Sequence, residues 1–258
     1  MPYLARILLY PIKSLDPMEV TEATILPTGA LRHDREFGIF DAEEKFVNGK
    51  RSPRVHGLTA AFHPTTGELR IAIRSTGESR CFQWPDDCAA MDAWLSDYFD
   101  QPVSLRRDAG GGFPDDKNAL GPTVISTATL EEVASWFPGL SVESARVRFR
   151  ANLEIGGVPP FWEDQLFGDP ETIVPFQIGD VLFHGINPCQ RCVVPPRDPQ
   201  TGEAIPEFSQ TFRERREATL PAWANRARFN HFYRLAINTR APESETGKTI
   251  RIDDSIRL

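Results

Sequence analysis

The chain predicts a mainly β protein with a few helices, an α+β fold, and three observations carry that expectation. Its 22 prolines and 18 glycines interrupt the 258 residues too often for a helical bundle. Most apolar segments between them are short and bounded by turn residues, as strands are. Helical periodicity surfaces in only a few places.

Taken in order, Tyr3 to Tyr10 is a short apolar run that Pro11 ends, and Glu19 to Leu26 alternates as a strand. Phe37 to Phe40, an acidic turn and Lys45 to Val47 read as strand, turn and strand. Leu58 to Phe62 and Leu69 to Ile73 flank His63-Pro64-Thr65-Thr66-Gly67-Glu68, a hairpin signal. The period then changes: Met91, Trp94, Leu95, Tyr98 and Phe99 share one helical face, with Asp86 and Asp87 as candidate caps. Arg106 to Pro122 has no period, and its Gly110-Gly111-Gly112 reads as a flexible connection sooner than as a phosphate cradle. A domain boundary is expected here, with units at 1–108 and 123–258 and a linker at 109–122. A second helix is expected near Thr129, with Thr129 and Glu132 in capping-box spacing and Leu130, Val133, Ala134 and Phe137 on one face. Val147 to Ile155 and Val181 to Ile186 read as strands, Phe208 to Ala218 as a charged helix, and His231 to Ile237 and Lys248 to Ile252 as late strands.

Charge and hydropathy narrow the function classes. A net charge of −7 and a pI near 5.3 argue against general nucleic-acid or membrane-surface partners. No apolar run approaches the ~20 residues of a membrane span, and the N-terminus lacks a signal-peptide pattern. A cytoplasmic protein with reduced thiols is the expectation, so its four cysteines read as free or ligating.

The chemistry concentrates in Asn187-Pro188-Cys189-Gln190-Arg191-Cys192, followed by Asp198-Pro199-Gln200-Thr201-Gly202. A guanidinium beside a thiol favours the thiolate, the form that binds metal or attacks an electrophile. Spacing alone leaves several meanings open. Structural zinc needs four ligands, and Cys81 and Cys88 read as core or incidental residues instead. A thioredoxin-type pair would open a helix, which Pro195-Pro196 disfavours. Two small residues buried in a turn is the plain alternative. Basic residues gather at strand ends: Lys13 beside Ser14, Arg32 and Arg35, Lys50 and Arg51, Arg54, then Arg148 and Arg150 with Asn152. Were they to converge, they would repel unless an anion sat between them.

Together these segments resemble a known family. Tyr10-Pro11-Ile12-Lys13-Ser14, Leu31-Arg32-His33-Asp34-Arg35 and Asn48-Gly49-Lys50-Arg51-Ser52-Pro53-Arg54 look like the β-barrel domain that precedes MOSC (molybdenum cofactor sulfurase C-terminal) domains. Arg148-Phe149-Arg150-Ala151-Asn152, Trp162-Glu163-Asp164, Ile178-Gly179-Asp180 and the Cys189–Gly202 region look like the MOSC domain itself. The resemblance spans nearly the whole chain and implies two β-barrel-like units in that order.

The family includes the mitochondrial amidoxime-reducing component, and the resemblance implies a molybdenum cofactor in its molybdopterin form and reduction of N-hydroxylated small molecules. It makes Cys192 the protein ligand to molybdenum and demotes Cys189. It assigns Lys13, Ser14 and Arg35 to the pterin or its phosphate, Arg150 and Asn152 to the same pocket, and Arg191 to the neighbourhood of the metal. Lys50 stands where relatives have arginine or glutamine, and Gln190 where they have a small residue, so both would shape the pocket mouth. Ala151 replaces a common proline. No ferredoxin-type cysteine set follows, so electrons are expected from a separate reductase or ferredoxin-type protein. A sulfur or cofactor carrier, with Cys192 as persulfide or transient ligand, is the alternative. Asp164 and Asp198 are candidate proton donors by position only, and a structural carboxylate in a turn is the stronger reading of each.

Overall fold

A computed structural model describes residues 1–258. The N-terminal part contains β1 (Tyr3–Leu9), β2 (Met18–Val20), β3 (Glu22–Thr24), β4 (Phe37–Asp41), β5 (Leu58–His63), β6 (Glu68–Ile73), β7 (Ser79–Gln83), α1 (Cys88–Phe99) and β8 (Val103–Arg107). There follow β9 (Val124–Ser126), α2 (Thr127–Ser135), α3 (Val142–Phe149), β10 (Leu153–Gly156), β11 (Val174–Ile178) and β12 (Val181–Gln190). The chain closes with α4 (Phe208–Ala218), β13 (Arg234–Arg240), β14 (Thr249–Arg251) and β15 (Ile256–Arg257). The mainly β expectation holds.

An eight-stranded sheet in the order β15-β11-β12-β13-β9-β10-β1-β2 organises the molecule. Strand β1 pairs antiparallel with β10, placing Ile7 opposite Leu153. The first strand and the segment after Arg150 therefore meet although they are far apart in sequence. The hairpin β5–β6 extends through β7 into a three-stranded sheet, and β4 pairs with β8. Helix α1 buries Met91, Trp94, Leu95 and Phe99 against this part, as its period requires. Helices α2, α3 and α4 enclose a separate aromatic core in which Phe137 and Phe208 stack 4.2 Å apart.

Several local expectations change. Of the expected strand Val147 to Ile155, Val147 to Phe149 is the end of α3 and only Leu153 to Ile155 lies in a strand, β10. Ser141 caps that helix by accepting from the Ser144 N–H at 3.0 Å, Ala145 and Phe149 form its buried face, and Arg150 ends it in the left-handed conformation. Arg-Phe-Arg mimics a period of two, but the cap four residues upstream of Ala145 decides the helix. Glu19 to Leu26 divides into β2 and β3, which pair with β1 and β14 in different sheets. The region Lys45 to Val47 supplies only a bridge from Phe46 to Phe40. Strand β13 begins three residues later than expected, at Arg234. Asp87 accepts from the Gln83 N–H at 2.8 Å in place of capping α1. Ser126, not Thr129, caps α2, because the Thr129 hydroxyl donates to buried Glu163 at 3.0 Å.

Gly110-Gly111-Gly112 is a packed turn rather than a slack linker. Gly112 has φ +70°, and a Cβ there would lie 2.6 Å from the Asp34 carbonyl oxygen. Only glycine fits that approach. The Phe113 N–H then donates to the Arg35 carbonyl at 2.8 Å, tying the linker to the segment that carries Arg35.

Candidate functional site

A cavity of about 650 Å³ collects residues from both halves of the chain. Lys13, Ser14, Arg35, Lys50, Arg150, Asn152, Gln190, Arg191 and Cys192 all line it. In all, eleven lysine and arginine side chains line it against four aspartates, an excess of seven positive charges inside a chain whose net charge is −7. Like charges in a low-dielectric hollow repel unless an anion joins them.

Tight turns aim the first of these groups. The Lys13 N–H donates to the Phe37 carbonyl at 2.8 Å, and the Leu15 N–H closes a turn onto Ile12 at 3.0 Å. That turn forces Ser14 to φ 73°, a position serine seldom takes. Arg35 (φ 52°) and Arg150 (φ 52°) adopt the same left-handed conformation. Three non-glycine residues in the left-handed region line the same cavity, the kind of backbone strain that gathers at functional sites.

Tyr10 joins the two arginines. It is wholly buried, burial pushes its phenol up to about 12, and Arg150 lies 4.0 Å above its ring while Arg35 lies 5.5 Å away. Asp34 accepts from the Tyr10 N–H at 2.9 Å and from the Arg35 guanidinium. Asn152 is spent on structure. Its amide donates to the Leu8 carbonyl at 3.0 Å, and its oxygen accepts from Thr123 at 3.2 Å and from Arg35 at 3.4 Å. Arg150 keeps Nη2 buried with no partner, a donor that an incoming acceptor would satisfy.

Asp115 supplies part of the negative charge that the cationic cluster requires. Its carboxylate accepts from Lys13 Nζ at 2.8 Å, and Lys50 Nζ lies 3.8 Å away. Asp115 is more than half exposed; the partial desolvation it meets at the cavity works against ionising it, but Lys13, Arg35 and Lys50 together hold it well below the usual carboxylate range. Burial lowers the Lys13 ammonium, with Asp115 opposing.

The cysteine segment begins as strand. Cys189 lies in β12, buried, and its thiol donates to Asn238 Oδ1 at 2.7 Å while burial pushes it up. Cys192 lies just past the strand end, partly exposed at the cavity wall. Arg191 keeps its charge beside these thiols and opposes the rise at Cys189. Arg191 donates to the Leu235 carbonyl at 2.9 Å and the Phe149 carbonyl at 3.1 Å, so it anchors the loop. Gln190 is exposed and also lines the cavity. Of the other thiols, Cys81 is exposed and Cys88 half-buried, so neither is a core residue.

The Asp-Pro-x-Thr-Gly stretch is a scaffold. Asp198 Oδ1 accepts from the Gln200 and Thr201 N–H groups at 2.9 and 3.0 Å. Arg148 fastens this loop through the Pro195 and Pro196 carbonyls and Asp198. Asp164 lies outside the cavity, buried and paired with Arg216. Neither carboxylate faces the site as a free proton donor.

No three His, Cys, Asp or Glu side chains are placed to hold a metal ion together. A metal here would take one soft thiolate from Cys192 and its remaining ligands from the group that carried it in. Many cations, an orphaned guanidinium nitrogen and a single accessible thiol fit such an anionic, metal-bearing group.

Comparison with known proteins agrees with that donor set. A model of the MOSC N-terminal beta barrel domain matches residues 1–102, and one of the MOSC domain matches residues 120–257. The chain belongs to the MOSC family. This MOSC protein is 27% identical to human mitochondrial amidoxime-reducing component 1 over 237 residues, 77% of the chain and 67% of that relative. It is 25% identical to the molybdenum cofactor sulfurase of Caenorhabditis briggsae over 236 residues, 84% of the chain, and 22% identical to the human one over 82% of the chain. The chain spans about a third of the length of these sulfurases. MOSC proteins bind molybdenum cofactor.

The structure adds residues that sequence reading missed in this MOSC protein. His56 lines the cavity with Nε2 buried and unpartnered, and burial, then Arg197 and Arg150, lower its imidazole. Arg197, Arg228 and Arg234 also face the cavity and donate to backbone carbonyls instead of pairing with carboxylates. No motif marks them; only their shared place around the cavity does.

Proposed function

We propose that this protein is a molybdenum-cofactor-dependent oxidoreductase that reduces N-hydroxylated or related oxo substrates, with electrons from a separate reductase or ferredoxin-type protein. One observation carries the reading: Cys192 borders a cavity seven charges positive in an acidic chain. The 67% coverage of the amidoxime-reducing relative supports it.

Lys13 and Lys50 would hold the phosphate of the cofactor, with Arg35 kept in place by Asp34 and Asn152. Arg150, braced on Tyr10, would donate its free Nη2 to the pterin or phosphate. The Cys192 sulfur would ligate the metal as thiolate, its proton released on binding. Arg191 would hold the backbone at Cys192 rigid through Leu235 and Phe149. When bound, the molybdenum cofactor would supply two-electron oxygen-atom chemistry. The overall change balances as R–NH–OH plus two electrons and two protons giving R–NH2 and water.

A second reading has its own support. Molybdenum cofactor sulfurases match 81–84% of the chain, so Cys192 as a persulfide or transient cofactor ligand is the competing role. Metal analysis separates them. Protein from a molybdenum-replete host should hold about one molybdenum per chain, and Cys192→Ser should lose it. Sulfane sulfur on Cys192 with no metal would favour the carrier. Reduction of a simple amidoxime with an artificial electron donor would then establish the enzyme.

A further inference from the structure

The cationic end of the cavity already contains one anion of its own. Lys13, only 6% exposed, donates to Asp115 at 2.8 Å, and Lys50 stands 3.8 Å from the same carboxylate oxygen. Arg35, the third cation there, is balanced by Asp34. With Asp115 in place, the two lysine charges within 4 Å of it share a single negative charge, and Arg35 and Arg150 act on it from further off.

We propose that Asp115 is a specificity-determining residue that reserves this end of the cavity for dianionic phosphate groups. A ligand anion must displace Asp115 to reach Lys13. A monoanion replaces one carboxylate by another single charge and gains no net Coulomb energy. It also competes with a group held on the same chain, whose effective concentration is high. A dianionic phosphate monoester matches both lysine charges and supplies more acceptor oxygens, so it displaces the carboxylate with a gain.

The linker is built to let Asp115 leave and return. Its flanks are anchored: the Lys13 ammonium also donates to the Phe113 carbonyl at 2.8 Å, Phe113 packs 5.3 Å from Phe40, and the Gly121 N–H donates to the Thr239 carbonyl at 3.0 Å. Between these anchors the Asp115 side chain remains 59% exposed, so it can swing outward without opening a core. Neighbouring Asp116 lacks such a role, since it meets Asn238 at 3.4 Å and no cation.

This inference rests on the cavity accepting a phosphate-bearing ligand, but its test needs neither metal nor turnover. Full-length protein from a host unable to make molybdenum cofactor is titrated calorimetrically at about pH 8, where inorganic phosphate is a dianion. Dimethyl phosphate serves as the monoanionic probe. Wild type should bind phosphate and discriminate against dimethyl phosphate. Asp115→Asn should bind phosphate about five-fold tighter, the equivalent of about 1 kcal/mol, and lose most of the discrimination. Asp116→Asn should behave as wild type. Equal binding of both probes by wild type, no phosphate binding at all, or an unchanged ratio in Asp115→Asn would each overturn the proposal. So would an equal gain in Asp116→Asn, which would reduce the effect to net charge. Molybdenum content of protein from a replete host is independent of these outcomes and tests the cofactor reading alone.

Discussion

Arg148 Nη2 donates to Asp198 Oδ2 at 3.1 Å, joining the end of α3 to the loop that follows Cys192. The same guanidinium donates to the Pro195 and Pro196 carbonyls at 3.1 and 3.0 Å and is almost fully buried. Arg148→Ala would leave these acceptors unsatisfied and cost about 2–3 kcal/mol. A fall in the thermal midpoint should accompany faster proteolysis in the 193–202 loop. Unchanged protection of that loop would contradict the anchoring role.

The two thiols should separate cleanly. Cys189→Ala removes a buried thiol and leaves Asn238 Oδ1 without that donor, so it should lower stability by about 1–2 kcal/mol. Its molybdenum content, measured on the folded protein, should stay near that of wild type. Loss of metal without loss of stability would assign Cys189 the ligand role given to Cys192.

Arg216 lies between two rings, 4.2 Å from that of Phe161 and 5.0 Å from that of Phe229, and pairs with buried Asp164. Arg216→Met would strand the carboxylate and destabilise by about 3–5 kcal/mol, whereas the double variant Arg216→Met/Asp164→Leu should recover most of that. Denaturant unfolding of the four proteins in the cycle measures the coupling. Additive costs would show that the ion pair itself does not matter.

Glu163 gives stability a pH dependence. Burial first, then the Asp164 charge, raises its carboxyl to about 7. A raised acid pKa means that the folded state holds its proton more tightly than the unfolded chain. The associated stabilisation is complete below the unfolded value of about 4.3 and is lost as pH rises to about 7, on the order of 3–4 kcal/mol in all. Glu163→Gln should therefore flatten the stability profile between pH ~4 and ~7 and be the more stable protein at the alkaline end. Parallel profiles for variant and wild type would remove Glu163 as the titrating group.

Local signals were legible wherever they acted through near neighbours. The helix Cys88–Phe99 and the hairpin around His63–Glu68 follow from period and turn chemistry within a dozen residues. Arg148-Phe149-Arg150 misled because three residues cannot distinguish a period of two from the end of a helix. Ser141, further upstream, holds that information. The candidate site was legible as residue types and motif order, including all nine proposed residues that line the cavity. Their individual work was not: Asn152 braces Arg35, and Arg191 grips two carbonyls.

By itself the sequence determined a mainly β chain, its family, and a set of basic residues that would need an anion if they met. Only the tertiary structure decided that they meet, and which anion stands between them. Tyr10 reaches Ala151 across 141 positions of chain, and Lys13 reaches Asp115 across 102. Periodicity and caps are written in interactions of a few residues, whereas such contacts depend on how β1 registers against β10 and where the linker crosses the cavity. Electrostatic roles belong to that second level, because a charge acts on whatever the fold brings within a few ångströms of it.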